Sequence, residues 1–235
     1  MLVNNYNICY KYIKKYIYNL NKSTFITFEC NKRSVPDDDF TLAFSNYNLL
    51  RTKSCKYLGI YLDEHLKWDV HVNYVLNRIK YLVFIFFKLN HINEQILKIM
   101  YHALFMGVFS YAISVWGCAF HNTLKVLQIY QNKIKKIIKP KSFLMLNITQ
   151  LFQLNSLSYY FDELKAKYDA YLSRSKNKYL PLPNIKKTLY KKSPSITSLK
   201  LFNVLPVEVK NYNAKSLKNL KYILLQSLLK TSNFC

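Results

Sequence analysis

Apolar residues recur every three to four positions over long parts of this chain, which predicts a mostly helical protein. From Val70 to Leu89 one helical face is predicted to be apolar, with Val72, Val75, Leu76, Ile79, Leu82, Val83 and Phe86. The other face is predicted to be polar, with Asn73, Asn77, Lys80 and Lys88. Asn93 and Glu94 are typical of a helix start, and they open a second helix that is predicted to run to about Trp116.

Three further helices are predicted downstream. From Thr123 to Lys139, Leu124, Leu127, Ile134 and Ile138 share a face opposite to Lys125, Lys133, Lys135, Lys136 and Lys139. Pro140 ends this helix, because proline cannot continue a helical hydrogen-bond ladder. Residues 148–172 form a fourth helical region. A closing helix over about 215–230 has one apolar stripe: Leu217, Leu220, Leu224 and Leu228.

The N-terminal part has a different pattern. Residues 6–20 predict a helix, and NKSTFITFEC alternates Phe25, Thr27 and Glu29 with Ile26, Phe28 and Cys30, which is typical of a strand. FTLAF and CKYLGIYLD are further strand-like runs. The glycine in the second run marks a point where a hairpin bends. The segment from Tyr179 to Ser195 holds three of the six prolines and predicts an exposed linker.

These elements predict an α+β fold that is mostly α. A small antiparallel sheet with a hairpin occupies residues 1–66, a helical bundle occupies 67–175, and a linker with a C-terminal helical segment occupies 176–235. At 235 residues and 51% hydrophobic composition, the chain is large enough to bury a sizeable core.

The chain is strongly basic. It carries 35 Lys and Arg against 12 Asp and Glu, a formal net charge of +23, and no acid occurs between Gln95 and Phe161. Such a balance predicts a polyanionic partner, either nucleic acid or an acidic membrane surface. AT-rich coding sequence is an alternative source of the many lysines, tyrosines and phenylalanines, although it does not account for the shortage of Asp and Glu.

The residue clusters do not predict a self-sufficient active site. Asp37, Asp38 and Asp39 form the one acidic cluster, but consecutive side chains in a loop diverge, whereas two-metal catalysis needs carboxylates that converge. His65 and His71 have no zinc-ligand spacing, and three glycines are too few for a phosphate-binding loop. We therefore expect no metal site, no cofactor and no small-molecule ligand.

Two observations bear on location. The five cysteines are scattered and never in CxxC spacing, and the N-terminus lacks a signal-peptide core, so an intracellular protein of the cytoplasm or nucleus is expected. The uncharged segment from Ile99 to Leu124 is long enough to span a bilayer. Its histidines, serines and tyrosines favour a helix buried in protein, and a membrane-associated or structural helical protein remains the alternative.

The run CKYLGIYLDEHLKWDVHV resembles a segment of the reverse transcriptases of non-LTR retrotransposons of the LINE and jockey type. There, a KYLG-apolar-LD strand lies after the polymerase palm site and precedes an L-aromatic-x-x-H entry into the thumb helices. The matching positions are Lys56, Tyr57, Leu58, Gly59, Leu62, Asp63, Leu66, Trp68 and His71.

Four other blocks are similar to the same family, in the same order. The Asn-Lys block is matched by Asn21 and Lys22. The thumb helix Y-x-A...Y-x-x-x-W-G is matched by Tyr101, Ala103, Tyr111, Trp116 and Gly117. The L-x-x-L-x-x-x-Q-N helix is matched by Leu124, Leu127, Gln131 and Asn132. The closing N-x-L-P-x-x-I-K block is matched within LFNVLPVEVK.

The resemblance implies the end of a palm with a primer-side hairpin (1–66), a thumb (67–175) and a C-terminal helical region. It implies that Lys22 lies on the phosphate side of an incoming nucleotide. Lys56, Tyr57, Gly59 and the lysines at 125, 133, 135, 136 and 139 would contact an RNA/DNA template–primer. The partners would be that nucleic acid and the remaining palm and fingers.

The sequence also departs from the family. The family's metal-binding aspartates precede the Asn-Lys block, whereas Met1 to Leu20 contains no aspartate and the chain has no [FY]-x-D-D motif. Two Mg²⁺ ions are implied only for a complete family member, because those carboxylates hold them. We therefore expect no catalytic residue here and no DNA synthesis by this chain alone.

Overall fold

The computed structural model describes residues 23–28, 42–44, 47–141, 143–173, 179–185, 188–213 and 216–230. The chain divides into two compact units, Met1–Val70 and His71–Cys235. All the described strands belong to the first unit, and almost all the described helical residues belong to the second. The predicted fold class, α+β and mostly α, is confirmed. The helix predicted over residues 6–20 lies outside the described residues.

A three-stranded sheet in the first unit is made of β1 (Thr24–Phe25), β2 (Leu42–Phe44) and β3 (Tyr47–Arg51), in the order β1-β3-β2. β2 and β3 are antiparallel, but β1 and β3 are parallel, so this sheet is mixed where an antiparallel one was predicted. The first strand ends at Phe25, although the predicted alternation continued to Cys30. β3 was not predicted.

The run CKYLGIYLD forms the second sheet, a hairpin of β4 (Ser54–Tyr57) and β5 (Ile60–Asp63). Asp63 closes β5, and its carboxylate organises the next five residues. It accepts hydrogen bonds from the backbone N–H groups of His65 (3.2 Å), Lys67 (2.9 Å) and Trp68 (2.7 Å). Leu66 and Trp68 have positive φ values of 52° and 69°, so this carboxylate holds a turn that apolar residues rarely adopt.

The second unit begins within α1 (Asp69–Lys88), whose buried face includes Val72, Val75, Ile79 and Phe86 as predicted. The next helix starts where predicted, with the Asn93 side chain accepting a hydrogen bond from the Gln95 N–H. It does not run unbroken to Trp116. Ala112 has a left-handed backbone (φ 49°), and the segment consists of α2 (Glu94–Met100), a π-helical turn (Tyr101–Met106), α3 (Gly107–Phe109) and α4 (Ile113–Trp116).

The two longest helices that follow are α5 (His121–Ile138) and α6 (Ile148–Leu172), close to their predicted bounds. Lys139 ends α5 in a left-handed conformation (φ 47°), immediately before Pro140. Asn147 and Gln150 begin α6 with a reciprocal capping box, at N–O distances of 2.8 and 3.0 Å.

The C-terminal elements are α7 (Thr188–Lys191), α8 (Pro194–Val204), α9 (Val207–Lys210) and α10 (Leu217–Lys230). Phe161 of α6, Phe202 of α8 and Leu224 of α10 are fully buried in one shared core. Leu180 also belongs to this core, so the prediction of an exposed linker over Tyr179–Ser195 is wrong in part. Pro181 to Asn184 are exposed, but the segment also contains α7 and the start of α8.

Gly117 allows the end of α4 to approach α6 closely. A Cβ atom at this position would lie 2.5 Å from the Ile113 carbonyl oxygen and 2.7 Å from the Phe152 ring. Neither distance is compatible with an unshifted backbone, so the glycine of the Trp-Gly pair is required by packing.

Replacing Gly117 with alanine is expected to lower the free energy of unfolding by about 1–3 kcal/mol, since the methyl group overpacks the contact with Phe152. Gly107→Ala is the matched control, because no atom lies within 4 Å of its Cβ position. That change should be neutral or stabilising by up to about 1 kcal/mol, as alanine favours helix. Chemical denaturation measures both, and equal effects would contradict the packing role of Gly117.

Candidate nucleic-acid interface

The tip of the β4–β5 hairpin presents apolar residues to solvent. Leu58 and Gly59 form its two-residue turn with φ values of 46° and 80°, the signs that a type I′ turn requires. Leu58 is 71% exposed and Tyr57 is 64% exposed. Lys56 is exposed beside them, with its ammonium 5.5 Å from the centroid of the Tyr61 ring. A leucine in left-handed conformation costs about 1–2 kcal/mol, and at this exposure burial does not offset it.

The predicted lysines of α5 are all exposed, but they do not share one face. Lys125, Lys133 and Lys136 lie opposite the buried residues Leu127 and Ile134, at spacings that place them along one side of the helix. Lys135 lies on the flank, one turn after the buried Gln131, where it borders a small cavity. Lys139 is the C-cap residue of α5, and its left-handed backbone turns the chain away from the helix axis. The solvent face of α5 therefore carries a row of three lysines, and Ile129, which is 46% exposed, lies between Lys125 and Lys133.

Gln131 was identified as a match to the family motif, and in the structure it has a packing role. It is 2% exposed, and its amide nitrogen donates to the Tyr101 hydroxyl (3.1 Å) and to the Leu146 carbonyl oxygen (2.7 Å). Gln128 donates to the Gln131 amide oxygen (2.9 Å), and it accepts from the Ile148 N–H (2.9 Å). This network joins α5 to the π-helical turn and to the start of α6.

His71 and Trp116 are two more motif residues that pack together. Both are buried, with their rings in an edge-to-face arrangement at a centroid distance of 5.4 Å. The Trp116 indole N–H donates to the Tyr111 carbonyl oxygen (2.8 Å), which closes the break around Ala112. Burial lowers the pKa of His71 from 6.5 to about 4, so the ring is neutral at physiological pH.

Residues of the closing motif block, LFNVLPVEVK, also have a packing role. The Asn203 side chain pairs with both the N–H and the carbonyl oxygen of Leu180, each at 2.9 Å. The Lys210 ammonium donates to the Asn203 carbonyl oxygen (3.1 Å) and lies within 6 Å of the centroids of the Tyr168, Tyr179 and Phe202 rings. Burial lowers the pKa of Lys210. This lysine stabilises the C-terminal core and is not a surface contact.

Sequence reasoning missed an aromatic surface on α1. Tyr81, Phe84 and Phe87 are 68%, 54% and 63% exposed, on the face that was interpreted as polar through Asn77 and Lys80. The Lys88 ammonium lies 4.9 Å from the Phe84 ring centroid. This surface could have been found from the sequence, because the three aromatic residues recur every three positions and lie on the same side of the helix as Asn77 and Lys80. We call this set, with Lys80 and Lys88, the aromatic face of α1.

The remaining predicted residues give no site. Lys22 and Asp37 to Asp39 lie outside the described residues. Within the described parts of the chain, no group of three or more His, Cys, Asp or Glu side chains is placed to hold a metal ion. No described helix is both long and apolar enough to cross a bilayer.

The buried His71 ring gives a pH test of the fold. Between about pH 6.5 and pH 4 the unfolded chain binds a proton at His71 and the folded chain does not. The free energy of unfolding should therefore fall as the pH is lowered through this window, by up to about 3 kcal/mol in total. Denaturation across the pH range should show this component in the parent chain and in His91→Gln, an exposed control. It should be lost in His71→Gln, and an unchanged slope there would contradict the assignment.

Comparisons with protein-family models, curated proteins and solved structures found no match to this chain.

Proposed function

We propose that this chain is the C-terminal part of a reverse transcriptase of a non-LTR retrotransposon, comprising the end of the palm, the thumb and the following helical region. Its role is to hold the template–primer, and it does not synthesise DNA alone. Five motif blocks in family order support the family. The observation that carries the binding role is the row formed by Lys125, Lys133 and Lys136 on the solvent face of α5.

The α5 row is suited to a phosphate backbone. From Lys125 to Lys136 it extends for about 16 Å along the helix axis, and several backbone phosphates fall within that length. No acid occurs in α5, so the positive field of this face is not cancelled locally. Lysine contacts to phosphate do not discriminate between bases, so binding is not sequence-specific.

The aromatic face of α1 adds contacts of another kind. Exposed aromatic rings stack on unpaired bases, and neighbouring cations strengthen binding to the backbone. Tyr81, Phe84 and Phe87, together with Lys80 and Lys88, supply both groups on one helix. Single-stranded template is the part of a template–primer that such a face fits.

The hairpin tip supports a primer-side role. Leu58 keeps a costly left-handed conformation while largely exposed, which is typical of residues retained for contact with a partner. In the family that the chain resembles, the corresponding hairpin packs against the primer end. Lys56 and Tyr57 are exposed beside the tip for the same contact.

We expect the isolated chain to lack DNA synthesis because polymerases require bound metal ions. Polymerases activate the primer hydroxyl with two divalent ions held by converging carboxylates. This sequence has no [FY]-x-D-D motif to supply them. Incorporation of labelled nucleotide on a primed RNA template by this chain alone would contradict this part of the proposal.

Substituting glutamate for Lys133 and Lys136 is expected to weaken duplex binding about 10- to 100-fold at low salt. Each lost phosphate contact should also reduce the salt dependence of log K by about one. Filter binding across a salt series measures both quantities. For the parent chain, six to ten phosphate contacts correspond to a loss of about 10³–10⁵ in affinity between 50 and 200 mM salt.

The matched control is Lys218→Glu with Lys230→Glu, which changes the charge of α10 by the same amount at two exposed positions. It should alter the affinity far less than the α5 pair. Equal losses in both variants would show that net charge alone drives binding. Salt-insensitive or absent binding, together with partitioning into detergent, would instead favour the membrane-associated alternative.

A further inference from the structure

A cavity of about 530 Å³ in the helical unit is not accounted for by the proposed function. Residues of α5, α6, α7 and α8 and of the turns before α5 and α8 line it. Its volume is within the range of small-molecule sites. Its floor is apolar and formed by buried residues: Ala119, Leu124, Phe152 and Leu201.

The rim of this cavity is cationic. Lys191, Lys192 and Lys200 line it, and no Asp or Glu is among the described residues that line it. The Lys192 ammonium lies 5.9 Å from the centroid of the Phe120 ring, which places it beside the start of α5. Three lysines around one opening create a field that favours an anion, and phosphate is the anion that lysine commonly binds in proteins.

The start of α5 adds to this field. His121, the first residue of this 18-residue helix, lines the cavity, and the N-cap residue Phe120 has no side-chain oxygen with which to accept a hydrogen bond. A helix N-terminus carries a partial positive charge and directs N–H groups outward. The lysines and the helix end thus favour negative charge at the same place.

The cavity wall also has an unsatisfied polar group. Gln153 is among the residues that line the cavity, and its amide oxygen is buried and finds no hydrogen-bond partner. A buried amide oxygen without a donor costs stability unless a ligand or water supplies one. A fitting ligand therefore has a phosphate for the rim, an apolar ring for the floor and an N–H donor for Gln153.

We propose that this cavity binds a nucleoside monophosphate unit. Its phosphate lies among Lys191, Lys192 and Lys200, and its base lies on the floor near Phe152 with an N–H directed to Gln153. Two sources carry this unit: a free nucleotide and the 5′-phosphorylated end of a nucleic-acid strand. The site does not depend on duplex binding by α5, so either can fail without the other.

Calorimetric titration of the full chain with AMP, inorganic phosphate and adenosine tests the site. AMP is expected to bind with one site per chain and more tightly than either of its parts. Lys192→Ala with Lys200→Ala should weaken AMP binding by about tenfold or more, since both ammonium groups are proposed to lie against the phosphate. Lys218→Ala with Lys230→Ala removes the same charge from α10 and should leave AMP binding unchanged.

Gln153→Leu provides a variant that keeps the charge of the rim. It should weaken AMP binding and leave inorganic phosphate binding unaltered. A 5′-phosphorylated oligonucleotide that competes with AMP, when its 5′-hydroxyl counterpart does not, would support the site and identify a strand end as the source. If AMP binds and neither oligonucleotide competes with it, the free nucleotide is identified as the source. Absent AMP binding, phosphate binding as tight as AMP, or equal losses in the two lysine pairs would overturn the proposal.

Discussion

The buried amide of Gln131 fixes the rotation of α5 about its own axis. It donates to the Tyr101 hydroxyl and to the Leu146 carbonyl oxygen, and Leu127 and Ile134 are fully buried on the same side. Turning α5 would bury lysine and leave this amide unsatisfied, each at a cost of several kcal/mol. Because the inner face is fixed, Lys125, Lys133 and Lys136 are held toward solvent. The proposed phosphate contacts depend on this constraint.

The motif residues of the helical unit act mainly as scaffold. Gln131 joins three elements, Trp116 packs on His71, and Gly117 permits the contact with Phe152. Asn203 and Lys210 do the same for the C-terminal core. A resemblance that depends on such packing residues is evidence about the fold more than about the chemistry. In the helical unit, the residues proposed to touch nucleic acid are instead exposed lysines and aromatic side chains between the motif positions.

The sequence predicted the elements whose signals are local. α1 and α5 follow from apolar periodicity, and the starts of α2 and α6 lie at residues that cap helices well. The break at Ala112 could not be predicted, because the hydrogen bond from Trp116 to the Tyr111 carbonyl oxygen stabilises a left-handed alanine. Leu180 was wrongly predicted to lie in an exposed linker for a similar reason, since its burial depends on Asn203, 23 residues away. Nonlocal pairing also sets the parallel contact of β1 with β3.

The candidate site was predictable in part. The exposed lysines of α5 followed from periodicity, but the separation of Lys135 from the other three follows from the position of Gln131 on the helix. The aromatic face of α1 was visible as spacing, yet aromatic residues at helical spacing are more often core than surface. The lysine-rimmed cavity could not be foreseen, since its lining residues are up to 87 positions apart in the sequence, from Gly117 to Val204.

Photo-crosslinking to a primed template with photoreactive bases, followed by peptide mapping, would locate the nucleic acid on the surface of the protein. We expect crosslinked peptides from α5 around Lys133 and from α1 around Phe84. Crosslinks confined to α10 and the C-terminal core, with none on α5 or α1, would contradict it.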